Sequence, residues 1–333
     1  MNEMINEEKK KDKGGTDPKR AKRTKRVVAW LFGLNAMAIV VVMVLGVLVY
    51  NGIIGYMPPV ESLLNPDDKY ASRLFSSDGK EMGRFYQNKN NRVYADYDEI
   101  STNMVNALIA TEDARFEEHS GIDPIALSRV LVKTILLGQR SGGGGSTITQ
   151  QLAKQLYSPE SDGMLDRFIQ KPVEWAIAVK LERFYTKEEI IKMYLNQFDF
   201  LNNAVGIKTA SFVYFGTTPD KLKIEQAAML VGMLKNPSLY NPLRRPERAK
   251  ARRNVVLSQM EKAGMLTEEE RDSLSALPLK LEYHRVDHKD GIAPYFREAV
   301  RLMLQAKRPN RLSYPDWDYQ RYRLGDQSAL WLG

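Results

Sequence analysis

Hydrophobic positions follow three rhythms along this chain. The first is continuous: in residues 27–50, V-V-A-W-L-F-G-L-N-A-M-A-I-V-V-V-M-V-L-G-V-L-V-Y, Asn35 is the only strongly polar side chain. A run of that length predicts a helix able to span a bilayer. It ends in Val49-Tyr50 without the A-x-A pattern of a cleavable signal, so an uncleaved anchor is expected. A buried core helix rarely runs so far without a charge. The second rhythm alternates. After a stalk marked by Pro58, Pro59 and Pro66, residues 71–75 and 81–86 flank Ser77-Asp78-Gly79 and predict a small β hairpin. The third is helical: Ser101 is the predicted N-cap of a helix on which Met104, Leu108, Glu112 and Phe116 fall four apart, and later Glu174, Ile177, Ala178 and Leu181 share a face.

Each helical stripe thus holds a glutamate where an apolar residue belongs. A carboxylate in such a place must be paired, hydrogen-bonded or set in a cleft. The structural option for Glu112 is an ion pair with Arg115 or the capping of a neighbouring helix. For Glu174 it is Lys171, three residues earlier. The functional option is a pair of acid/base carboxylates. Between the two glutamates, residues 142–145 are four glycines, free to adopt positive φ, and S-T-I-T-Q-Q-L-A-K follows, predicting a helix that ends near Lys154. Free N–H groups at that helix start, with Ser146, Thr147, Thr149, Gln150, Gln151 and Lys154 close by, form a cradle suited to phosphate. No Lys-Ser or Lys-Thr closes the glycines, so this is not a nucleotide-binding Walker loop. A flexible linker is the plain alternative.

Composition and charge narrow the class. With 333 residues and 43% hydrophobic content the chain can bury a full core. The net charge is +8, but residues 1–26 hold ten Lys or Arg against five acidic residues, which leaves +5 in the tail and +3 in everything after it. Lys19, Arg20, Lys22, Arg23, Lys25 and Arg26 stand directly before the apolar run. They place that end in the cytoplasm and the chain after Tyr50 outside, and orientation explains them without a nucleic-acid partner. The absence of cysteine excludes a disulfide framework and thiolate metal sites. His119, His284 and His288 are scattered with no H-E-x-x-H, which argues against a histidine metal site.

Five segments in order, A-T-E-D-A-R-F-E-E-H-S-G-I-D, G-G-S-T-I-T-Q-Q-L-A-K, K-P-V-E-W-A-I-A-V-K-L-E, I-I-K-M-Y-L-N with Y-F-G, and E-Q-A-A-M-L-V-G-M-L-K-N-P-S-L-Y-N-P, resemble the motifs of the peptidoglycan glycosyltransferases. These are membrane enzymes that occur alone or as the N-terminal part of class A penicillin-binding proteins. The resemblance implies a mainly α, lysozyme-like glycosyltransferase domain at 91–265. Around it would lie the cytoplasmic tail at 1–26, the anchor at 27–50, the stalk and β segment at 51–90, and a connector at 266–333.

The same resemblance implies roles by position. Glu112 matches the catalytic base that deprotonates the acceptor 4-hydroxyl. Glu174 matches a second glutamate near the donor pyrophosphate, acting directly or through a divalent cation, Mg²⁺ or Mn²⁺. No organic cofactor is implied. Asp113, Arg115, Phe116 and His119 belong to the first motif. Gly145, Ser146, Thr147, Thr149, Gln150, Gln151 and Lys154 belong to the second and Lys171 to the third, where they would hold pyrophosphate and sugars. Asn196 and Lys235 fall in the last two, whose roles are structural or cleft-lining. The implied partners are lipid II, the growing lipid-linked glycan strand, the membrane and cell-wall synthesis proteins. The implied location is the bacterial inner membrane, with the catalytic domain on its periplasmic side.

The chain also departs from the pattern. Gln170 stands where an arginine is usual, Pro172 follows Lys171, and 197–204 lack the usual small residues. The basic run 244–253 is expected to be a solvated or headgroup-facing surface. The run 292–304 resembles the connector to a transpeptidase, yet the full set S-x-x-K, S-x-N and K-T-G is not present. The expectation is therefore the N-terminal part of a longer protein. A muramidase-type hydrolase and a non-catalytic scaffold are the other two functional readings.

Overall fold

The computed structural model describes residues 72–85, 93–131, 144–158 and 164–285 without a break, with shorter pieces between 26 and 63 and at 293–299. The chain divides into two compact units, residues 1–57 and 58–333. In the first, positions 46–50 are helical, and the chain turns at Gly52, whose φ of +71° suits glycine. Of the expected span at 27–50, thirteen residues are described, all of them helical, and the other eleven lie outside the described residues. Among those described, no helix is long and apolar enough to cross a membrane. Most of the run 292–304 also lies outside them.

In the second unit β1 (Ser72–Phe75) pairs antiparallel with β2 (Glu81–Phe85), Ser72 opposite Phe85, with an irregularity between Leu74 and Phe75. The rest of the unit is helical: α1 (Thr102–Glu112), α2 (Pro124–Leu131), α3 (Ile148–Tyr157), α4 (Met164–Phe184), α5 (Lys187–Gln197), α6 (Ile207–Phe215), α7 (Ile224–Leu234), α8 (Pro246–Lys262) and α9 (Glu268–Ala276). The core sits on α7. Its residues 227–234 are all buried, as expected of a helix that is apolar all round, and it packs against α1 and α8. Around α3 a second layer forms from α4 and α5.

Local rules account for the ends of these helices. The Ser101 side chain accepts from Met104 N–H at 3.3 Å, the expected N-cap of α1. Thr147, Thr186 and Thr267 cap α3, α5 and α9 in the same way. Helix α1 stops at Glu112, short of the predicted stripe, and Phe116 lies in a separate 3₁₀ turn. Leu201, Asn202 and Asn203 all have positive φ, in the stretch that lacks the family's small residues. Asn202 Nδ2 donates to Tyr214 Oη at 2.8 Å, and Tyr214 Oη donates to Phe200 O at 2.7 Å. These bonds hold a backbone conformation that non-glycine residues take at some energetic expense.

The basic run at 244–253 is only partly a surface. Arg253 is 1% exposed and donates to Leu277 O at 2.8 Å, Ser275 O at 3.1 Å and Asn254 Oδ1 at 3.0 Å. It occupies the C-terminal end of α9, where orphan carbonyls and the helix dipole favour a cation. Burial pushes its guanidinium below its ordinary value, against the pull of Glu225. Replacing it takes the donor from Leu277 O and leaves Ser275 O with Asn254 Nδ2 alone. Arg253→Met should lower the unfolding free energy by about 3 kcal/mol, while Arg248→Met, on the exposed face, should change it little. Thermal or urea unfolding of the two variants checks the contrast.

Candidate functional site

Glu112 is the last residue of α1 and is half-buried. The expected ion pair with Arg115 does not form. Arg115 lies 3.0 Å from Glu118 and 3.6 Å from Asp123 instead. Burial pushes the Asp123 carboxyl up, but the N–H groups of Ala126 and Ile125 and the charge of Arg115 outweigh it and hold the group below its usual value. Glu112 keeps an amide as its neighbour: Gln151 Nε2 donates to its Oε2 at 2.9 Å, and among the described residues the carboxylate has no other partner.

The residue after it does the anchoring. The Asp113 side chain is 5% exposed; its Oδ2 accepts from His119 Nε2 at 3.0 Å and from Ile148 N–H, the first residue of α3, at 3.1 Å. A carboxylate at a helix N-terminus satisfies an orphan donor and meets the positive end of the dipole. Two further contacts fasten the same helix start. Thr147 Oγ1 and Gln150 Nε2 both donate to Gly121 O, at 2.8 and 3.1 Å. Gly121 has φ +86°, and a Cβ there would lie 2.8 Å from the Ala178 backbone, so α4 requires glycine at this point.

This changes the reading of the glycine-rich segment. Residues 142 and 143 lie outside the described residues. Gly144 and Gly145 are described, and neither has positive φ. Gly145 serves close approach: a Cβ on it would meet Val130 Cγ2 of α2 at 3.3 Å. Three members of the expected cradle face inward. Thr147 and Gln150 hold Gly121, and Thr149 Oγ1 donates to Glu182 Oε1 at 2.5 Å. Their side chains position the helix; Lys154 is exposed on α3.

Glu174 lies in an environment unlike that of Glu112. It is 3% exposed, and Lys171 Nζ sits 2.8 Å from its Oε2, the pairing expected from the spacing. The predicted face is real, since Ile177, Ala178 and Leu181 are buried beside it. Lys171 Nζ also donates to Ser146 Oγ at 3.2 Å, and Ser158 Oγ lies 3.5 Å from Glu174 Oε1. A half-exposed ammonium, two hydroxyls and a buried carboxylate thus gather where α3 meets α4.

Other candidates are structural or peripheral. Phe116 is fully buried, with Lys187 Nζ 4.2 Å above its ring. Asn196 clamps residue 95, accepting from Ala95 N–H and donating to Ala95 O, both at 2.9 Å. Lys235 is exposed at the end of α7. His119 is buried, and its Nδ1 has no partner among the described residues.

Three important residues, Glu182, Lys187 and Tyr194, were not picked out from the sequence, although Glu182 and Tyr194 fall within the quoted segments. Lys187 Nζ lies 2.6 Å from Glu182 Oε2 and donates to His119 O at 2.6 Å. Tyr194, fully buried, donates from its hydroxyl to Gln151 Oε1 at 2.9 Å. Burial, and then the charge of Glu112, push its phenol far above the ordinary value, so it stays a hydrogen-bond donor. Its one sequence signal was a hydroxyl in the apolar run Ile190, Ile191, Tyr194, Leu195, because a buried tyrosine needs a partner.

A family model described as Transglycosylase matches residues 78–261, more than half of the chain. The chain belongs to the transglycosylase family. It is 37% identical over 253 residues to penicillin-binding protein 1A of Escherichia coli, covering 76% of this chain and 29% of that protein. It is 37% identical over 281 residues to penicillin-binding protein 1A/1B of Bacillus subtilis, covering 82% and 29%. To penicillin-binding protein 1A of Aquifex aeolicus it is 34% identical over 272 residues, covering 78% and 36%. The chain therefore spans about a third of the length of these relatives, and the transglycosylase match encloses α1 through most of α8.

Within the transglycosylase segment the hydroxyls of α3 divide into two kinds. Thr149→Val leaves the buried Glu182 carboxylate short of a donor and should cost about 2 kcal/mol of stability. Ser146→Ala, at the half-buried start of the helix, should cost less than about 0.5 kcal/mol. Paired unfolding curves check the difference, and equal losses would overturn the division.

Proposed function

We propose that this chain is a membrane-anchored peptidoglycan glycosyltransferase that polymerises lipid II into β-1,4-linked glycan strands. The observation that carries the proposal is the environment of Glu112: a half-buried carboxylate held by one amide N–H, with its other oxygen unpartnered and no cation paired to it among the described residues. Such a group is oriented yet still able to take a proton. Glu112 accepts the proton of the acceptor sugar's 4-hydroxyl, that oxygen bonds to the anomeric carbon of the donor, and the bond from that carbon to the pyrophosphate breaks. Attack opposite the leaving group inverts the anomeric centre, and the electron pair leaves with polyprenyl pyrophosphate.

Charge builds on that leaving group, and fixed donors stabilise it. Lys171 and Ser146, 3.2 Å apart, form one such grip, with Lys154 available on the same helix. Glu174 aims the Lys171 ammonium. Among the described residues no three His, Cys, Asp or Glu side chains gather as a metal cage, and Glu174 already bonds an ammonium at 2.8 Å. The described residues do not fit a protein-built divalent cation site, and no step here runs through one.

The apolar run 27–50 serves as the anchor, with the basic tail in the cytoplasm and the catalytic unit on the outer side of the bacterial inner membrane. Both substrates carry polyprenyl tails, so an enzyme held at the bilayer meets them in two dimensions. Cell-wall synthesis proteins are the expected neighbours.

Purified chain supplied with lipid II should produce glycan strands, and Glu112→Gln should reduce that rate by more than about 1,000-fold. Lys171→Ala should weaken turnover by about 10- to 100-fold. Gel analysis of labelled glycan reads both. Undiminished polymerisation by Glu112→Gln would overturn the assigned base, and shortening of preformed strands would favour hydrolysis.

A further inference from the structure

Glu112 has one bonded oxygen, and the direction of that bond is set elsewhere. A glutamine amide offers nitrogen on one side and oxygen on the other, and its two ends exchange by a half-turn. In Gln151 the oxygen accepts from Tyr194 Oη at 2.9 Å while the nitrogen donates to Glu112 at 2.9 Å. The Tyr194 proton is directed at Gln151. The donors run one way, from Tyr194 through Gln151 to the carboxylate. Tyr194 is fully buried on α5, so water has no access with which to replace its hydroxyl.

We propose that Tyr194 is a positioning residue for the glycosyl transfer: through Gln151 it holds the Glu112 carboxylate with one oxygen occupied and the other presented to the acceptor hydroxyl. This rests on the reading of Glu112 as the base. Without the hydroxyl, Gln151 Oε1 is buried beside an apolar ring and the amide is free to turn. Its carbonyl then faces Glu112, repels the carboxylate and displaces it from its attacking geometry. Substrate binding depends on groups elsewhere, so the loss falls on turnover rather than affinity.

The experiment is lipid II polymerisation by the full chain, comparing Tyr194→Phe, Gln151→Ala and the double variant, with Glu112→Gln as reference and a melting curve for each. Tyr194→Phe should lower kcat about 10-fold with KM changed less than twofold. In the Gln151→Ala background it should have no further effect on kcat, since its action passes through that amide. Equal kcat for wild type and Tyr194→Phe would overturn the proposal, as would full multiplicative losses in the double variant. If Tyr194→Phe melts far below wild type, the assay is repeated with Gln151→Leu, which removes the amide between the hydroxyl and Glu112. A kcat loss with KM changed less than twofold is then expected, and no loss overturns the proposal. Activity retained by Glu112→Gln would instead show the base itself misassigned, so the two failures are distinct.

Discussion

The site depends on one buried carboxylate, that of Asp113, and the work it does on backbone rather than on substrate. Its bonds to Ile148 N–H and His119 tie the end of α1 to the start of α3. Glu112 and Asp113 are adjacent, so fixing the second fixes the first, and the face of α3 carrying Gln151 comes within hydrogen-bond reach of Glu112. The constraint is electrostatic and geometric together: a carboxylate at a helix N-terminus is stabilised there, and that stability determines where its neighbour points.

A second buried system holds the other side of the loop. Lys187 sits between Glu182, the carbonyl of His119 and the ring of Phe116, and Thr149 supplies a donor to the same glutamate. Four segments, α3, α4, α5 and the 116–119 turn, therefore meet on one ion pair. Buried pairs contribute little net stability by themselves, but removing either partner strands a charge. Such an arrangement favours a single loop geometry.

Much of this was legible from residue patterns, and the misses share a cause. Ser101 as an N-cap, the helix after the glycines and the buried face of Glu174 follow from period and capping chemistry, which are local. The partner of Glu112 was not legible, because Gln151 is 39 positions away and only the Asp113 tie between the end of α1 and the start of α3 brings them together. Thr147, Thr149 and Gln150 resembled exposed ligands because hydroxyls and amides beside glycines look alike in either role. Their burial depends on Gly121 and Glu182, residues that carry no such signature. Arg253 was grouped with a basic surface for the same reason: its charge reads as exposed until the end of α9 arrives to take it.

The two glutamates show how far periodicity extends. Both interrupt an apolar helical stripe, and both had a cation three residues away as the simple explanation. For Glu174 that explanation holds, with Lys171 at 2.8 Å. For Glu112 it fails, because α1 ends at that residue and Arg115, beyond the break, turns toward Glu118 and Asp123. Had the helix continued one more turn, the i,i+3 geometry would have offered Glu112 an arginine. Ending α1 there leaves Glu112 an amide and, among the described residues, no counter-ion. A carboxylate bonded to an ammonium serves to hold charge in place, whereas one bonded to a neutral donor retains a lone pair for a proton. The division of labour between the two therefore follows from where α1 stops, and Asp113, the residue that stops it, is also the one that locks α3 in place.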